Sequence, residues 1–133
     1  MKSYFIDTNY FLRLLLKDDK KQFDTVYSLF QRAVNQEIQI ITSIIVFFEI
    51  YWVLSSFYKK NKLKIVEYLK KILKMDFLEI ENFHVLQETL ILFENHTLDL
   101  EDCYNIAYAK NLETDEFATF DKKINNLFKK INQ

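Results

Sequence analysis

Residues 3–19 read SYFIDTNYFLRLLLKDD, and the interpretation of the whole chain starts from this stretch. The run at residues 3–6 is rich in aromatic and β-branched side chains, which favours a β-strand. Asp7 follows the run directly, and the apolar residues 9–16 favour a short helix. The stretch therefore predicts a strand, an acidic residue at its carboxyl end, and a helix that leaves from that point.

The same alternation of strand and helix continues outward from this stretch. We predict further strands at residues 37–42, 77–80 and 116–120, and helices at residues 20–35, 62–75, 82–95, 99–112 and 122–131, with another apolar helix beginning after Ser43. Such alternation indicates an α/β fold, because right-handed crossovers place helices on both faces of a mostly parallel sheet. We expect a three-layer sandwich formed by a single domain over residues 1–133.

The composition excludes several classes of protein. The chain has 133 residues, a formal net charge of −1, and neither Gly nor Pro. A Gly-rich phosphate loop is therefore impossible, which excludes P-loop and dinucleotide-binding folds, and we expect Asn and Asp at left-handed turns. The single cysteine, Cys103, favours a reducing compartment and a small buried side chain. The apolar residues 40–54 are too few to cross a bilayer, so we expect a cytoplasmic protein.

Four acidic residues fall where a parallel sheet would gather them. Asp7 and Asp121 each follow a predicted strand, Glu49 lies about two turns into the helix after the second strand, and Asp102 lies in the first turn of a later helix. Ligands in open α/β sheets bind beyond the carboxyl ends of the strands. Converging carboxylates repel one another unless a cation lies among them, and oxygen ligands of this kind suit Mg²⁺ or Mn²⁺.

Each of these residues also has a purely structural interpretation. Asp7 and Asp121 could be N-caps of the helices that follow them. Asp102 stands three residues after Asp99, so the two could form a helix cap and its reciprocal partner. Glu49 is surrounded by apolar residues that suggest a helix buried nearly all round, although its side chain could instead reach one wet edge. Position alone indicates a metal-binding α/β domain.

Four segments of the chain resemble the motifs of the PIN-domain nucleases, especially the VapC-type toxins of toxin–antitoxin pairs. They are FIDTNYFLRLLLKDD at residues 5–19, SIIVFFE at 43–49, LDLEDCYNIA at 98–107 and ATFDKK at 118–123. They occur in the family's order and span nearly the whole chain. The chain departs from the family by lacking Gly before the fourth motif and by ending soon after its last helix, so we expect the last edge strand to be very short or absent.

The resemblance implies a metal-dependent endoribonuclease with a PIN-like sheet, a homodimeric state and a cognate antitoxin. It implies that Mg²⁺ or Mn²⁺ is bound by the catalytic acids Asp7, Glu49, Asp102 and Asp121. Asn9, Ser43 and Thr119 match polar positions that orient the carboxylates or waters, and Asp99 matches a less essential position. A housekeeping RNA-processing or DNA-acting nuclease with the same site, and a catalytically silent interaction module, are the alternatives.

Cationic residues near these motifs are candidates for RNA contacts, since phosphates need positive partners even in a near-neutral protein. Most charged runs are only solvated faces, and that interpretation stays open for each candidate. The apolar excess of the first helix can mark an interface, or it can be ordinary core packing. His84 and His96 lie outside the motifs, and we assign neither to metal. The candidates for RNA binding are Arg13, Lys59, Lys60, Lys122 and Lys123.

Overall fold

A computed structural model describes all residues from 1 to 133. The chain forms two compact units, Met1–Glu81 and Asn82–Gln133. It contains a three-stranded parallel sheet and seven helices, which confirms the predicted α/β class. The assignment of the whole chain to a single domain stays a prediction. None of the helices combines the length and apolarity that a membrane span requires.

The first unit alternates strands and helices as the sequence predicts. Its strands lie side by side in chain order and all run parallel, with Tyr4 opposite Ile40 and Ile40 opposite Leu78. Parallel neighbours require a crossover connection, and here helices provide it. The elements are β1 (Ser3–Phe5), α1 (Thr8–Leu16), α2 (Lys20–Val34), β2 (Gln39–Ile41), α3 (Ile44–Ser56), α4 (Lys62–Leu73) and β3 (Leu78–Glu79).

The core of the first unit is built from apolar side chains on its helices and its central strand. Phe11 of α1 and Phe47 of α3 are fully buried, and Phe11 packs edge-to-face on Phe30 of α2 with ring centroids 5.8 Å apart. Burying a side chain of this size contributes about 1.5–3 kcal/mol. This packing fixes the point at which α1 leaves β1, and therefore the position of Asp7.

The second unit is helical, and its packing overturns one predicted strand. It contains α5 (Phe83–Asn95), α6 (Leu100–Asn111) and α7 (Lys122–Ile131), around a small core that includes Ile106 and Phe128. Residues 116–120 were predicted as a fourth strand but have no strand structure. Phe117 packs against Phe128 while Phe120 is fully exposed. A β-prone segment becomes a strand only where a neighbouring strand accepts its hydrogen bonds.

The turns are made without glycine, and the residues that make them differ from our expectation. Five residues have a left-handed backbone: Lys17, Gln36, Lys59, Asn82 and Glu113. Only one of the five is an Asn and none is an Asp, so the expected preference for those residues is wrong here. The left-handed region costs a residue with a Cβ roughly 1–2 kcal/mol, which packing elsewhere must offset.

Candidate metal centre

Asp7 follows the carboxyl end of β1. Two hydrogen bonds at Ile6, just before Asp7, hold this segment against the residues at the end of β2. The Ile6 amide donates to the Ile41 carbonyl at 2.9 Å, and the buried Thr42 hydroxyl donates to the Ile6 carbonyl at 2.7 Å. Asp7 is the N-cap of α1, and its Oδ1 accepts the Tyr10 amide at 3.2 Å. The cap interpretation is therefore confirmed. It does not compete with metal binding, because the side chain is exposed and a carboxylate has further lone pairs.

Glu49 belongs to the same unit and is linked to the segment that carries Asp7. Ser43 is the N-cap of α3 and accepts the Val46 amide at 3.3 Å, which places Glu49 two turns along the helix. The hydroxyl of Thr8, the residue after Asp7, donates a hydrogen bond to Oε1 of Glu49. Thr8 is only 6% exposed, so this contact orients the carboxylate from a fixed point.

The expectation that α3 is buried nearly all round is wrong. Glu49 is exposed, and Ile45 and Trp52 on either side of it are 75% and 61% exposed. Positions 45, 49 and 52 fall on one side of a helix. The glutamate therefore lies on the solvent side of α3, as the alternative interpretation held, and its burial does not demand a cation.

The second unit places two carboxylates, those of Asp99 and Asp121, within electrostatic reach of Asp102. Asp99 occupies the N-cap position of α6 without a side-chain cap bond, and Asp102 is half-buried one turn later. Burial, followed by the nearby charges of Asp99 and Asp121, raises the pKa of Asp102 above its ordinary value. The interpretation of Asp99 and Asp102 as a cap and its partner is wrong, because the two carboxylates repel each other instead of satisfying the helix end.

Asp121 is held at the start of α7 by backbone groups. Its Oδ1 accepts the amides of Lys123 at 2.9 Å and Ile124 at 3.1 Å. Its own amide donates to the Thr119 hydroxyl at 3.0 Å. Thr119 therefore stabilises the turn that carries Asp121, whereas its role in orienting a metal-binding carboxylate or a water stays a prediction. Asp121 is a confirmed helix cap that also contributes negative charge at Asp102.

These donors suit a hard divalent cation in their chemistry. All are carboxylate oxygens, the ligands that Mg²⁺ and Mn²⁺ prefer. A cation near Asp102 would relieve the repulsion that, after burial, contributes to the raised pKa of that residue. No group of three or more His, Cys, Asp or Glu side chains is close enough together to hold a metal ion by itself. The acids thus fit the ion in the chemistry of their donor atoms.

The cations proposed to bind RNA have different surroundings. Arg13 donates to the Tyr58 hydroxyl at 2.8 Å and pairs with Asp18 at 3.1 Å, so it is largely engaged within the fold. Lys123 donates to the carbonyl and hydroxyl of Thr97. Lys59 and Lys122 are exposed and Lys60 is half-buried. Two further residues considered in the sequence have other surroundings: Cys103 is buried, and His84 pairs with Glu88.

The sequence interpretation missed several residues around Asp7. Two adjoining cavities of about 490 and 530 Å³ both include Asp7 and Tyr10, and Asn9 lines the first of them. Lys21 and Arg32 of α2 line these cavities but belong to none of the four motifs. Thr8 was also missed, although its place directly after Asp7 in the best-matching motif was a usable signal.

Comparison with known families identifies one match. The sequence model described as the PIN domain matches residues 4–130, which is almost the entire chain. No curated protein and no solved structure matches the chain.

Proposed function

Since the chain belongs to the PIN-domain family, a family of metal-dependent nucleases, we propose that it is a divalent-metal-dependent endoribonuclease and the toxin of a toxin–antitoxin pair. The observation that carries the nuclease part is that Asp102 is partly buried and has Asp99 and Asp121 nearby, and these causes, burial first, raise the pKa of Asp102. Folding that forces carboxylates together without a cation is unfavourable and is typical of a functional site. The resemblance of the four motifs to VapC-type toxins supports the finer assignment.

The acidic residues have different roles in this proposal. Asp7 and Asp102 are the principal ligands of Mg²⁺ or Mn²⁺, Asp121 completes the set, and Glu49 ligates the ion or orients the attacking water. When bound, a divalent ion supplies positive charge at the scissile phosphate and makes water easier to deprotonate. The Thr8 hydroxyl keeps Oε1 of Glu49 in place, so the second carboxylate oxygen can accept a proton from water.

The reaction is an in-line hydrolysis of the phosphodiester bond. The oxygen of water forms a bond to phosphorus, the bond to the leaving oxygen breaks, and the leaving oxygen takes up a proton. The side chains around Asp7 contribute positioning, because Asn9 and Tyr10 line the same cavity as its carboxylate. Ser43 and Thr119 act one step further away, by fixing the helices that carry Glu49 and Asp121.

The partners in this proposal are an antitoxin protein and a second copy of the chain. The apolar side chains of α1 that suggested an interface are mostly core, since Phe11 and Leu15 are buried. Large apolar side chains are instead exposed on α3, at Ile45 and Trp52, and such residues on one helix face favour a protein interface. Light scattering of the purified chain measures the oligomeric state, and a monomer at all concentrations would contradict the dimer.

The decisive test is cleavage of RNA by the purified chain. Structured and single-stranded RNAs are incubated with Mg²⁺, Mn²⁺ or a chelator, beside Asp102→Asn and the matched control Glu101→Gln. Glu101 is exposed in the same helical turn, so its loss removes equal charge without touching the acid cluster. We expect metal-dependent cleavage by the wild type and the control only. Cleavage by Asp102→Asn at the wild-type rate would contradict the proposal.

The toxin role has a separate test. Induced expression of the wild type should arrest bacterial growth, while Asp102→Asn should not, because arrest depends on cleavage. An enzyme that cleaves RNA in vitro but leaves growth unaffected would be a housekeeping nuclease, and the toxin assignment would then be wrong.

A further inference from the structure

The two cavities that share Asp7 form one groove along helix α2. Both include Asp7, Tyr10 and Thr25, so they adjoin along this shared wall. One cavity continues to Lys21, and the other continues past Ser28 to Arg32. We call this continuous surface the α2 groove.

One face of α2 forms a wall of the groove. Lys21, Thr25, Ser28 and Arg32 are spaced by four, three and four residues, which places them in a row on one side of a helix. Eleven residues of helix span roughly 16 Å. All four side chains are exposed. The row therefore has a cation at each end and two hydroxyl groups between them. The two cations can donate hydrogen bonds to an anionic chain, whereas the Thr25 hydroxyl already donates to the Lys21 carbonyl at 3.1 Å.

The side chains that line the groove carry a net positive charge, whereas the whole chain carries a net negative charge. Three cationic side chains line it, those of Arg13, Lys21 and Arg32, whereas Asp7 is its one acidic side chain. The full chain has a net charge of −1. Lys21 makes no ion pair, and Arg32 has only a long one, 3.7 Å from Glu37. The groove cations Lys21 and Arg32 are thus at most weakly paired, and they lie along the row on α2 beside a proposed metal ligand.

Aromatic rings face this row from the other elements. Tyr10 of α1 is 39% exposed and lines both cavities. Tyr4 of β1 lies at the far end, with the Arg32 guanidinium 6.0 Å and the Lys2 ammonium 5.2 Å from its ring centroid. Cationic tracks combined with exposed rings are what proteins use to hold single-stranded nucleic acid, because phosphates need cations and unstacked bases need a flat apolar surface.

We propose that the α2 groove binds single-stranded RNA on one side of the scissile phosphate, with Lys21 and Arg32 on backbone phosphates and Tyr10 stacked on a base. This rests on the proposed nuclease function and adds the substrate class and the path of the strand. Paired RNA is a poor fit, since its bases are already stacked and cannot use Tyr10. The groove thus makes the enzyme selective for unpaired segments.

Binding in the absence of cleavage tests this proposal. A fluorescent oligouridylate is titrated with the protein in chelator at several salt concentrations, and anisotropy gives the Kd and its salt dependence. Lys21→Gln and Arg32→Gln should each make the slope of log K against log salt shallower by about 0.7 for the phosphate contact that is lost. The neighbouring Lys20→Gln is the matched control, because Lys20 lies outside the cavity linings and pairs with Asp24.

The stacking contact is tested by two substitutions at one position. Tyr10→Leu should weaken binding roughly fivefold or more, whereas Tyr10→Phe should bind like the wild type, because stacking needs the ring and not the hydroxyl. A duplex of the same length should bind more weakly than the single strand and should not respond to Tyr10→Leu. The melting midpoints of all variants verify that each one is folded.

The outcomes separate this proposal from the nuclease assignment. Unchanged salt slopes in Lys21→Gln and Arg32→Gln, or an equal change in Lys20→Gln, would overturn the groove even if the enzyme cleaves RNA. Intact RNA binding with lost affinity for a copurifying partner protein would assign the groove to a peptide and also overturn it. If RNA binds with the predicted effects of the variants but is not cleaved in Mg²⁺ or Mn²⁺, the RNA-binding role of the groove is supported and the proposed nuclease function is refuted.

Discussion

The two compact units hold their acidic residues in different ways. In the unit Met1–Glu81, Asp7 accepts a backbone amide and Glu49 accepts the hydroxyl of Thr8. In the unit Asn82–Gln133, Asp102 is partly removed from water and has two other carboxylates nearby, so its pKa is raised. The first arrangement orients carboxylates within the fold, whereas the second destabilises one. We infer that the acidic residues of the proposed metal site destabilise the second unit more than they destabilise the first.

The largest effect that we predict within the second unit comes from Asp102→Asn. Cleavage should fall by more than the roughly 100-fold typical of losing a supporting residue, because the change removes a proposed ligand and its charge. The same variant should melt at a higher temperature than the wild type in chelator at neutral pH. Calorimetry or circular dichroism measures the midpoint, and Glu101→Gln is the control for the loss of charge.

The direction of this stability effect follows from the pKa of Asp102. Its folded-state pKa lies above that of the unfolded chain, because burial and then Asp99 and Asp121 disfavour the charged form. Ionisation therefore costs stability at pH values above the folded-state pKa, and this cost disappears as the pH falls through both pKa values. The advantage of Asp102→Asn should shrink in the same way. An advantage that persists in acid would contradict the electrostatic explanation.

In the first unit the second-largest effect should come from Thr8→Val. The substitution keeps the shape of a buried side chain and removes the hydroxyl that orients Glu49. We expect a roughly 10–100-fold loss of cleavage, as for other residues that orient ligands. The matched control is Thr89→Val, since Thr89 is fully buried and donates only to the Val85 carbonyl. Equal losses in both variants would mean that buried threonines matter only for folding.

The next effect concerns stability and distinguishes Asp7 from Asp102. Asp7→Ala should destabilise the chain by about 0.5–2 kcal/mol, because it removes the N-cap of α1, whereas Asp7→Asn should cost little, since Asn caps equally well. Chemical denaturation measures both values. If Asp7→Asn stabilised the chain as Asp102→Asn is expected to do, the contrast between the two units would be wrong.

The smallest effect that we predict is the gain in stability when Gly replaces a left-handed residue, and it should be equal in the two units. Lys17→Gly in the first unit and Glu113→Gly in the second should each raise stability by up to about 1 kcal/mol, since both positions are left-handed and only Gly adopts that conformation without strain. Gln31→Gly within helix α2 is the opposite control and should lower stability by up to about 1 kcal/mol. Unequal responses at the two left-handed positions would show that the units also differ in backbone strain.

Features fixed by local chemistry could be predicted from the sequence. The N-caps Asp7, Ser43 and Asp121 were predicted because their side chains accept amides only three or fewer residues away. The three parallel strands were also predicted, since their composition and their spacing by helices agree. These features place Asp7 and Asp121 at the starts of helices, as the sequence predicts.

Features that depend on distant neighbours could not be predicted. The segment 116–120 has the composition of a strand, but no neighbouring strand pairs with it. The exposure of Glu49 depends on which side of α3 other elements cover, and an almost uniformly apolar helix gives no signal for that. Lys21 and Arg32 looked like ordinary surface charges until the fold placed them beside Asp7.

The most direct test of the proposed metal-dependent hydrolysis is the initial rate of RNA cleavage against free Mg²⁺ for the wild type and Asp7→Asn. The substitution preserves the helix cap and removes only the charge and one potential ligand oxygen. We predict a saturable dependence on Mg²⁺ for the wild type, and for Asp7→Asn a rate that stays at the level in chelator at every Mg²⁺ concentration. A variant that follows the wild-type curve, or a wild type that cleaves equally well in chelator, would contradict the proposal.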